Sequence, residues 1–476
     1  MFLKVPGVGE APAPMHPAMA SKGGLLRRLR TLCLVLLPLL LVTSVACSKH
    51  HDTASDPGKP PAITTAPVAA STVTGRPVTF SVAATGQEVL RYQWLKIQYD
   101  KDGKEISRTN ILGALGATYT IFNPRVEDAG GYTVTITNPN GTATSTPVLL
   151  TVAAAVAFIS PAGIVVDAGG NAYVSDMEDH TIWKVSPSPT YLKTLLAGSP
   201  GLPGSSDGNG TSARFNTPGA LALDGSGNLI VADTGNHTIR RIATDGTVTT
   251  LAGTAGLPGS ANGVGALARF NAPNGLAVTG TGSIYIADAQ NHTIRLLATD
   301  GTVTTFAGTA GKPGQVDGDK AAALFNQPNG LALSPNGTLY VADYGNSCIR
   351  AIAPSGAVSL LAGQYATSGF TNGTGVGATF YLPVGLTLDS TGNLYVSEVG
   401  NHALRQVTAT GVTTSLAGSG TAGNTDSSGS SALFFRPCGV AITPSGNLMV
   451  ADTGNHILRS STLAGVVTTP TLPPQP

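Results

Sequence analysis

The sequence predicts an all-β chain in which a small β-sandwich is followed by a β-propeller of six blades. Three observations carry this. Alternating apolar and polar stretches, separated by Gly, Asn and Pro turns, recur along the chain after residue 60. A pattern of about 55 residues returns six times beyond residue 157, marked by Pro161, Pro218, Pro273, Pro328, Pro383 and Pro437. Finally, 60 glycines and 32 prolines accompany 42% hydrophobic residues, a balance that suits short strands and turns and fits neither a disordered tail nor a helical bundle.

Composition also narrows the partners. Charged residues make up 11% of the 476, and 27 basic against 26 acidic side chains leave a formal charge of +1. Phosphate binding needs clustered basic charge, so nucleic acid is not an expected partner. Of the four cysteines two fall in the N-terminal leader, which excludes a disulfide framework.

The leader spans residues 1–47. Arg27, Arg28 and Arg30 precede an apolar run from Thr31 to about Val42, the layout of an export signal. The run falls short of the ~20 residues a membrane span needs and contains Pro38. Its end, TSVAC, resembles the lipobox of bacterial lipoproteins, which implies lipidation at Cys47; ordinary cleavage near Ala46 is the alternative. Either way the mature protein is expected outside the cytoplasm, in the cell envelope as an outer-membrane or surface lipoprotein, or secreted. Residues 48–59 are polar and Pro-rich, a flexible tether.

Residues 60–152 contain the stretches VTFSV, RYQWLKI, TYTIFN, YTVTITN and VLLTV at the spacing of a β-sandwich. Trp94 lies twelve residues after Val82, and Tyr132 follows the run EDAGG. The set resembles the immunoglobulin-like fold. The resemblance implies that Trp94 is the core tryptophan, that Tyr132 forms a corner with the backbone upstream, and that Val82 and Val134 stand where a disulfide is usual. No catalytic cluster falls here, so a spacer or adhesive role is expected.

Residues 156–470 hold the repeat, and 471–476 form a tail. Each copy reads as four short strands joined by Gly, Asn and Asp turns, the content of one propeller blade. FNTPGALALDGSGNLIVADTGNHTIRRI and FNAPNGLAVTGTGSIYIADAQNHTIRLL carry Phe, Pro with Gly one or two residues on, a strand ending in acid, and Asn-His-x-Ile-Arg. This pattern resembles the NHL repeat family and implies a closed six-bladed propeller with the first strand of each blade lining the axis.

One acid closes the second strand of every copy: Asp176, Asp233, Asp288, Asp343, Glu398 and Asp452. Seven residues later stands Arg240, Arg295, Arg350, Arg405 or Arg459, with Trp183 in the first copy. A ring of carboxylates could hold Ca²⁺. The stronger reading makes each acid structural, accepting turn amides and pairing with its arginine so that blades lock together, because a ligand is rarely touched identically by all six blades. His180, His237, His292, His402 and His456 recur in the next turn; Zn²⁺ would need three of them around one point, and turns of a six-fold ring stand too far apart for that. No cofactor is expected, with Ca²⁺ or Zn²⁺ as the alternatives.

Long connections of roughly 18 residues, such as TAGLPGSANGVGALARFN, join one copy to the next and should share a face with the acid-to-His turns. The Ala-x-Phe near their ends, for instance Ala268 to Phe270, should plug the seam between blades. A specific site would use residues that break the repeat. Those at turn positions are Glu178, Asp179, Gln290, Tyr344 and Glu398, the ligand-binding candidates, with Met177, Trp183 and Cys348 also departing. Cys348 and Cys438 read as single buried thiols. The G-x-S-x-G at Gly204–Gly208 has no strand-to-helix elbow and carries no catalysis. The resulting expectation is a monomeric, membrane-anchored binding or scaffold protein that engages a protein, peptide or glycan through the loop face and is not an enzyme. The alternative is a metal-dependent hydrolase or lyase, since some NHL propellers resemble the peptide-amidating lyase.

Overall fold

The computed structural model describes residues 58–73, 78–87, 89–122, 124–153 and 158–472. The predicted leader with Cys47, residues 48–57 of the tether and the last four residues of the tail lie outside these. Among the described residues every helix is a three-residue 3-10 turn, and the rest of the regular structure is strand.

The first unit is a two-layer sandwich. One layer runs in the order Ala70–Val73, Val148–Ala153, Gly130–Asn138, Arg91–Tyr99, Glu105–Asn110. The other is built from Ala62–Thr65 paired with Ala83–Thr85, and Val78–Ser81 paired with Thr118–Ile121. Their inner faces meet around Phe80, Trp94, Tyr132, Val134 and Tyr119. Trp94 is fully buried and its indole N–H donates to the Gly116 carbonyl at 2.9 Å, so its one polar atom is satisfied. The Tyr132 hydroxyl donates to the Asp128 carbonyl at 2.8 Å, the corner expected from the sequence. Phe80 stacks on Tyr132 with 4.9 Å between centroids, and with Val82 and Val134 this packing fills the place of a bridge.

The second unit is a β-propeller of six successive antiparallel sheets, each drawn from one continuous stretch of chain. In the first, Pro161–Val166, Ala172–Asp176, Thr181–Val185 and Lys193–Gly198 pair in chain order. The other five start with Pro218–Leu223, Pro273–Val278, Pro328–Leu333, Pro383–Leu388 and Pro437–Ile442. These inner strands pack each on the next, and Pro437–Ile442 packs back on Pro161–Val166, so the ring closes. In the four middle sheets a two-residue strand from the incoming connection, Gly208–Asn209 in the second sheet, pairs with the outermost strand and covers its open edge.

Seams between sheets hold the core. Ile230, Ala232 and Ile239 of the second sheet meet Leu276, Ile284 and Ile286 of the third, with Ala268 and Phe270 of the connection wedged between. Phe270 is fully buried, worth roughly 1.5–3 kcal/mol in removed apolar surface. At the axis the glycine of Pro-x-Gly is required by close approach: a Cβ on Gly275 would overlap the Asn329 carbonyl oxygen, and one on Gly330 the Val384 carbonyl oxygen. The second sheet has Ala220 at this place, the one exception.

No strand is exchanged where the last sheet meets the first. The Phe158 amide donates to the His456 carbonyl at 3.2 Å, Thr453 Oγ1 donates to the Pro161 carbonyl at 2.6 Å, and His456 Nδ1 donates to the Ile159 carbonyl. Phe158, Ile164 and Val174 pack there against Ala441, Met449 and Leu458.

Candidate functional site

The repeated polar residues form one assembly per sheet. Asp233 accepts the Asn216 amide at 2.8 Å, Asn236 Nδ2 at 2.7 Å and Arg240 Nη1 at 2.8 Å. Arg240 also donates to the carbonyls of Arg214 and Ser206 and to the Asp207 carboxylate, and its guanidinium lies over Phe215 at 5.2 Å. The acid–arginine pair recurs at Asp288 with Arg295, Asp343 with Arg350, Glu398 with Arg405 and Asp452 with Arg459, at 2.8–3.1 Å between fully buried partners, with Asn262 and Asn372 in the place of Asp207 in the third and fifth sheets. Burial pushes the carboxyls of Asp233, Asp288 and Asp343 up to about 6, against the lowering by these donors. Because Asn216, Arg214, Ser206 and Asp207 all belong to the connection entering the sheet, the assembly pins each connection to its own sheet. The expected locking of one blade to the next is not what these pairs do.

Neighbouring sheets are joined instead by the histidines. His180, His237, His292 and His402, each followed by the third strand of its sheet, sit in the left-handed region with φ of 51–59°. Each Nδ1 accepts the amide of the residue that precedes the next sheet's proline: Thr217, Ala272, Gln327 and Arg436 in turn, at 3.0–3.1 Å. Ser347 takes this place in the fourth sheet. Among the described residues no three of His, Cys, Asp and Glu stand close enough together to hold a metal ion.

The first sheet departs from the pattern. Asp176 accepts the amides of Ile159 and Ser160 at 2.7 Å, but Asp179 occupies the asparagine place and Trp183 the arginine place. Lys193, on the outermost strand, supplies the cation: its ammonium lies 3.8 Å from the Trp183 ring centroid and 4.2 Å from that of Phe158. Burial lowers Lys193 to about 8, against the two aspartates, and burial followed by Asp179 raises Asp176 to about 6.

At the axis the inner strands leave a cavity of about 90 Å³. They start at the face that carries the long connections, so its lining comes from the residues just after the prolines: Ala162, Asn274, Asn329, Val384 and Cys438, with Met177 from the first turn. The lining is one-sided, amide at Asn274 and Asn329, apolar at Val384 and Cys438. Tyr344 is half-buried and within electrostatic range of Arg436, Tyr381 and Cys438, the last of which lines the cavity. Burial raises its hydroxyl above the ordinary value, and Arg436 opposes this.

The five ligand-binding candidates therefore separate. Tyr344 lies within electrostatic range of the cavity-lining Cys438, and Glu178, exposed, and Gln290, half-buried, occupy corresponding turn positions on the same face. Asp179 is buried, accepting Thr181 Oγ1 at 3.2 Å, and Glu398 is fully buried against Arg405. Both serve the acid assemblies. Cys348 and Cys438 are free and buried, and burial pushes the Cys438 thiol up to about 11. Sequence reasoning missed Arg436, Tyr381 and Phe435, although each breaks the repeat beside a proline. It also missed the asparagines, such as Asn236, that complete each acid assembly.

Residues 215–242, 270–295, 325–352 and 380–407 match the NHL repeat, and residues 61–152 match the immunoglobulin I-set domain. The chain thus carries four NHL repeats and an Ig-like domain. It is 34% identical over 278 residues to Protein SUPPRESSOR OF QUENCHING 1, chloroplastic, of Arabidopsis thaliana, a match covering 55% of this chain and 26% of that protein. It is 33% identical over 295 residues to NHL repeat-containing protein 2 of Homo sapiens, covering 54% and 40%. The chain spans less than half the length of both relatives. An auxiliary nutrient binding protein of Bacteroides thetaiotaomicron superposes with a TM-score of 0.49 at 13% identity, covering 87% of this chain and 99% of that one.

Proposed function

We propose that the protein is an exported, lipid-anchored binding protein whose propeller engages a ligand at the mouth of the axial cavity. The anchor at Cys47 and the tether come from the sequence alone; the sandwich then acts as a spacer between membrane and propeller. One observation carries the binding reading. The recurring polar residues of the repeat are consumed in pinning connections and joining sheets, whereas residues that break the repeat, Tyr381, Arg436 and Cys438 from two sheets, lie within electrostatic range of Tyr344 of a third.

Crosslinking on intact cells, comparing wild type with Tyr344→Ala, tests this. Capture of a partner by the wild type and at least a several-fold loss in the variant is expected; equal recovery rejects the cavity mouth as the site. The alternative, a metal-dependent hydrolase or lyase, needs several donors around one point, and the histidines of four of the six seams each spend Nδ1 on a backbone amide instead.

A further inference from the structure

We infer that the axial cavity is a subsite for a small uncharged amide group, which pairs with the carboxamides of Asn274 and Asn329 and rests its apolar side on Val384 and Cys438. This rests on the loop-face reading above and names the chemistry of its ligand.

The position just after the proline differs from sheet to sheet. It holds Ala162, Gly219, Asn274, Asn329, Val384 and Cys438 in turn, and all but Gly219 line the cavity. Among the described residues the side chains of Asn274 and Asn329 make no hydrogen bond to the rest of the chain, although both are half-buried. The asparagines of the acid assemblies behave otherwise: Asn236 Nδ2 donates to the Gly204 carbonyl at 2.6 Å and to Asp233 at 2.7 Å. Two adjacent sheets thus bring two carboxamides to the cavity, each with donors and an acceptor unspent. The second sheet makes room beside them. Asn274 Oδ1 lies 2.6 Å from where a Cβ on Gly219 would stand, in space that the bare glycine leaves.

No lining side chain carries a charge. Cys438 is the one titratable group among them, and burial pushes its thiol up to about 11, so it is neutral at ordinary pH. An ionised ligand would lose its hydration here without gaining a countercharge. An amide matches the lining, because its C=O and N–H meet the N–H and C=O of an asparagine in two antiparallel bonds, whereas a ketone offers an acceptor alone. Size sets a second limit. A cavity of ~150 Å³ takes benzene, so about 90 Å³ takes roughly four or five non-hydrogen atoms. That is a free small amide or the tip of a glutamine side chain.

The wall is held in place before any ligand arrives. Ser175 Oγ accepts the Gly163 amide at 2.8 Å and donates to the Gly219 carbonyl of the next sheet at 2.6 Å. Ser397 Oγ does the same between the Gly385 amide and the Cys438 carbonyl. A subsite already in shape loses little freedom on binding.

Saturation-transfer NMR titrations of the purified chain with propionamide, butanone and propionate, three molecules of the same size, test the inference. Propionamide is expected to bind at least about 5-fold more tightly than the ketone, which lacks its donors, and than the anion. Asn274→Leu and Asn329→Leu, each close in volume to the native side chain, should weaken propionamide about 5- to 10-fold and leave butanone within about 2-fold. Val384→Phe fills the cavity and should abolish binding of all three; near-UV circular dichroism checks that the variants are folded, and if Val384→Phe is not, the asparagine variants decide. Displacement of propionamide by a pentapeptide with a central glutamine, but not by its methionine counterpart, assigns the amide to a partner's side chain; displacement by neither, with other free amides competing, assigns it to a small molecule. No binding of propionamide, equal binding of butanone, or unchanged binding in both asparagine variants overturns the inference. In that event a cellular partner whose capture depends on Tyr344 leaves the loop-face reading standing, whereas propionamide binding beside capture that ignores Tyr344→Ala supports the subsite and rejects that reading.

Discussion

The imidazole of His292 accepts the backbone N–H of Gln327 through Nδ1 at 3.1 Å, bridging the seam between the third and fourth sheets. Removing that acceptor with His292→Ala leaves the Gln327 amide without its partner and is expected to cost about 1–2 kcal/mol. The cost should depend on pH. Burial lowers the His292 pKa below its ordinary 6.5, so its contribution is complete above about 6.5 and is lost as pH falls through the lower folded value, where Nδ1 takes a proton and ceases to accept. Urea denaturation of both proteins at pH 8, 7, 6 and 5 checks this: the gap should close toward acid, and a constant gap contradicts the assigned acceptor.

Within a sheet the buried pairs behave differently. Arg295→Met strands Asp288 in the interior and should cost about 3–5 kcal/mol, whereas Asp288→Leu with Arg295→Met removes both charges and should recover much of that loss. Equilibrium denaturation of the two variants decides it, and equal destabilisation by both contradicts the electrostatic account.

Lys193 is the cation of the first sheet, so Lys193→Met leaves Asp176 and Asp179 facing each other. The Asp176 pKa, already raised to about 6, should rise further. A raised carboxyl contributes stability below its unfolded pKa and loses it as pH climbs through the folded value. The variant should therefore melt progressively below wild type between pH 5 and 8, and adding Trp183→Arg, which rebuilds the pairing of the other sheets, should restore part of the difference.

Gly275→Ala tests the inner ring. A methyl there meets the Asn329 carbonyl of the next sheet, so the third and fourth sheets must separate; a loss above about 2 kcal/mol is expected from overpacking. A neutral result in thermal unfolding contradicts such close contact. Gly280, with nothing near its Cβ position, is the control and should change stability by less than about 1 kcal/mol.

The order of elements was legible because proline, acid and arginine recur in register, and a spacing of seven residues places Asp233 and Arg240 on paired strands. Trp94 and Tyr132 were equally plain, since both lie on strands whose alternation marks the inner face. The role of the histidines was not. His237 acts on the amide of Ala272, 35 residues away on another sheet, and a backbone group leaves no trace in side-chain pattern. Glu398 misled because a change of residue type suggested a change of role; its longer side chain simply reaches the same partners, Tyr381, Asn401 and Arg405. Lys193 escaped notice because it compensates for Trp183 from a different strand, outside the spacing that defines the motif.

Since every sheet is complete within its own segment, the wheel resembles a strip of paper fastened end to end, and the stretch from Phe158 to Pro161 is its clasp. That clasp is built from the same span by which the chain enters the propeller, so tension applied through the preceding domain is delivered to the join itself before it reaches any other seam. A pull on the N-terminal side would thus be felt first where the circle begins.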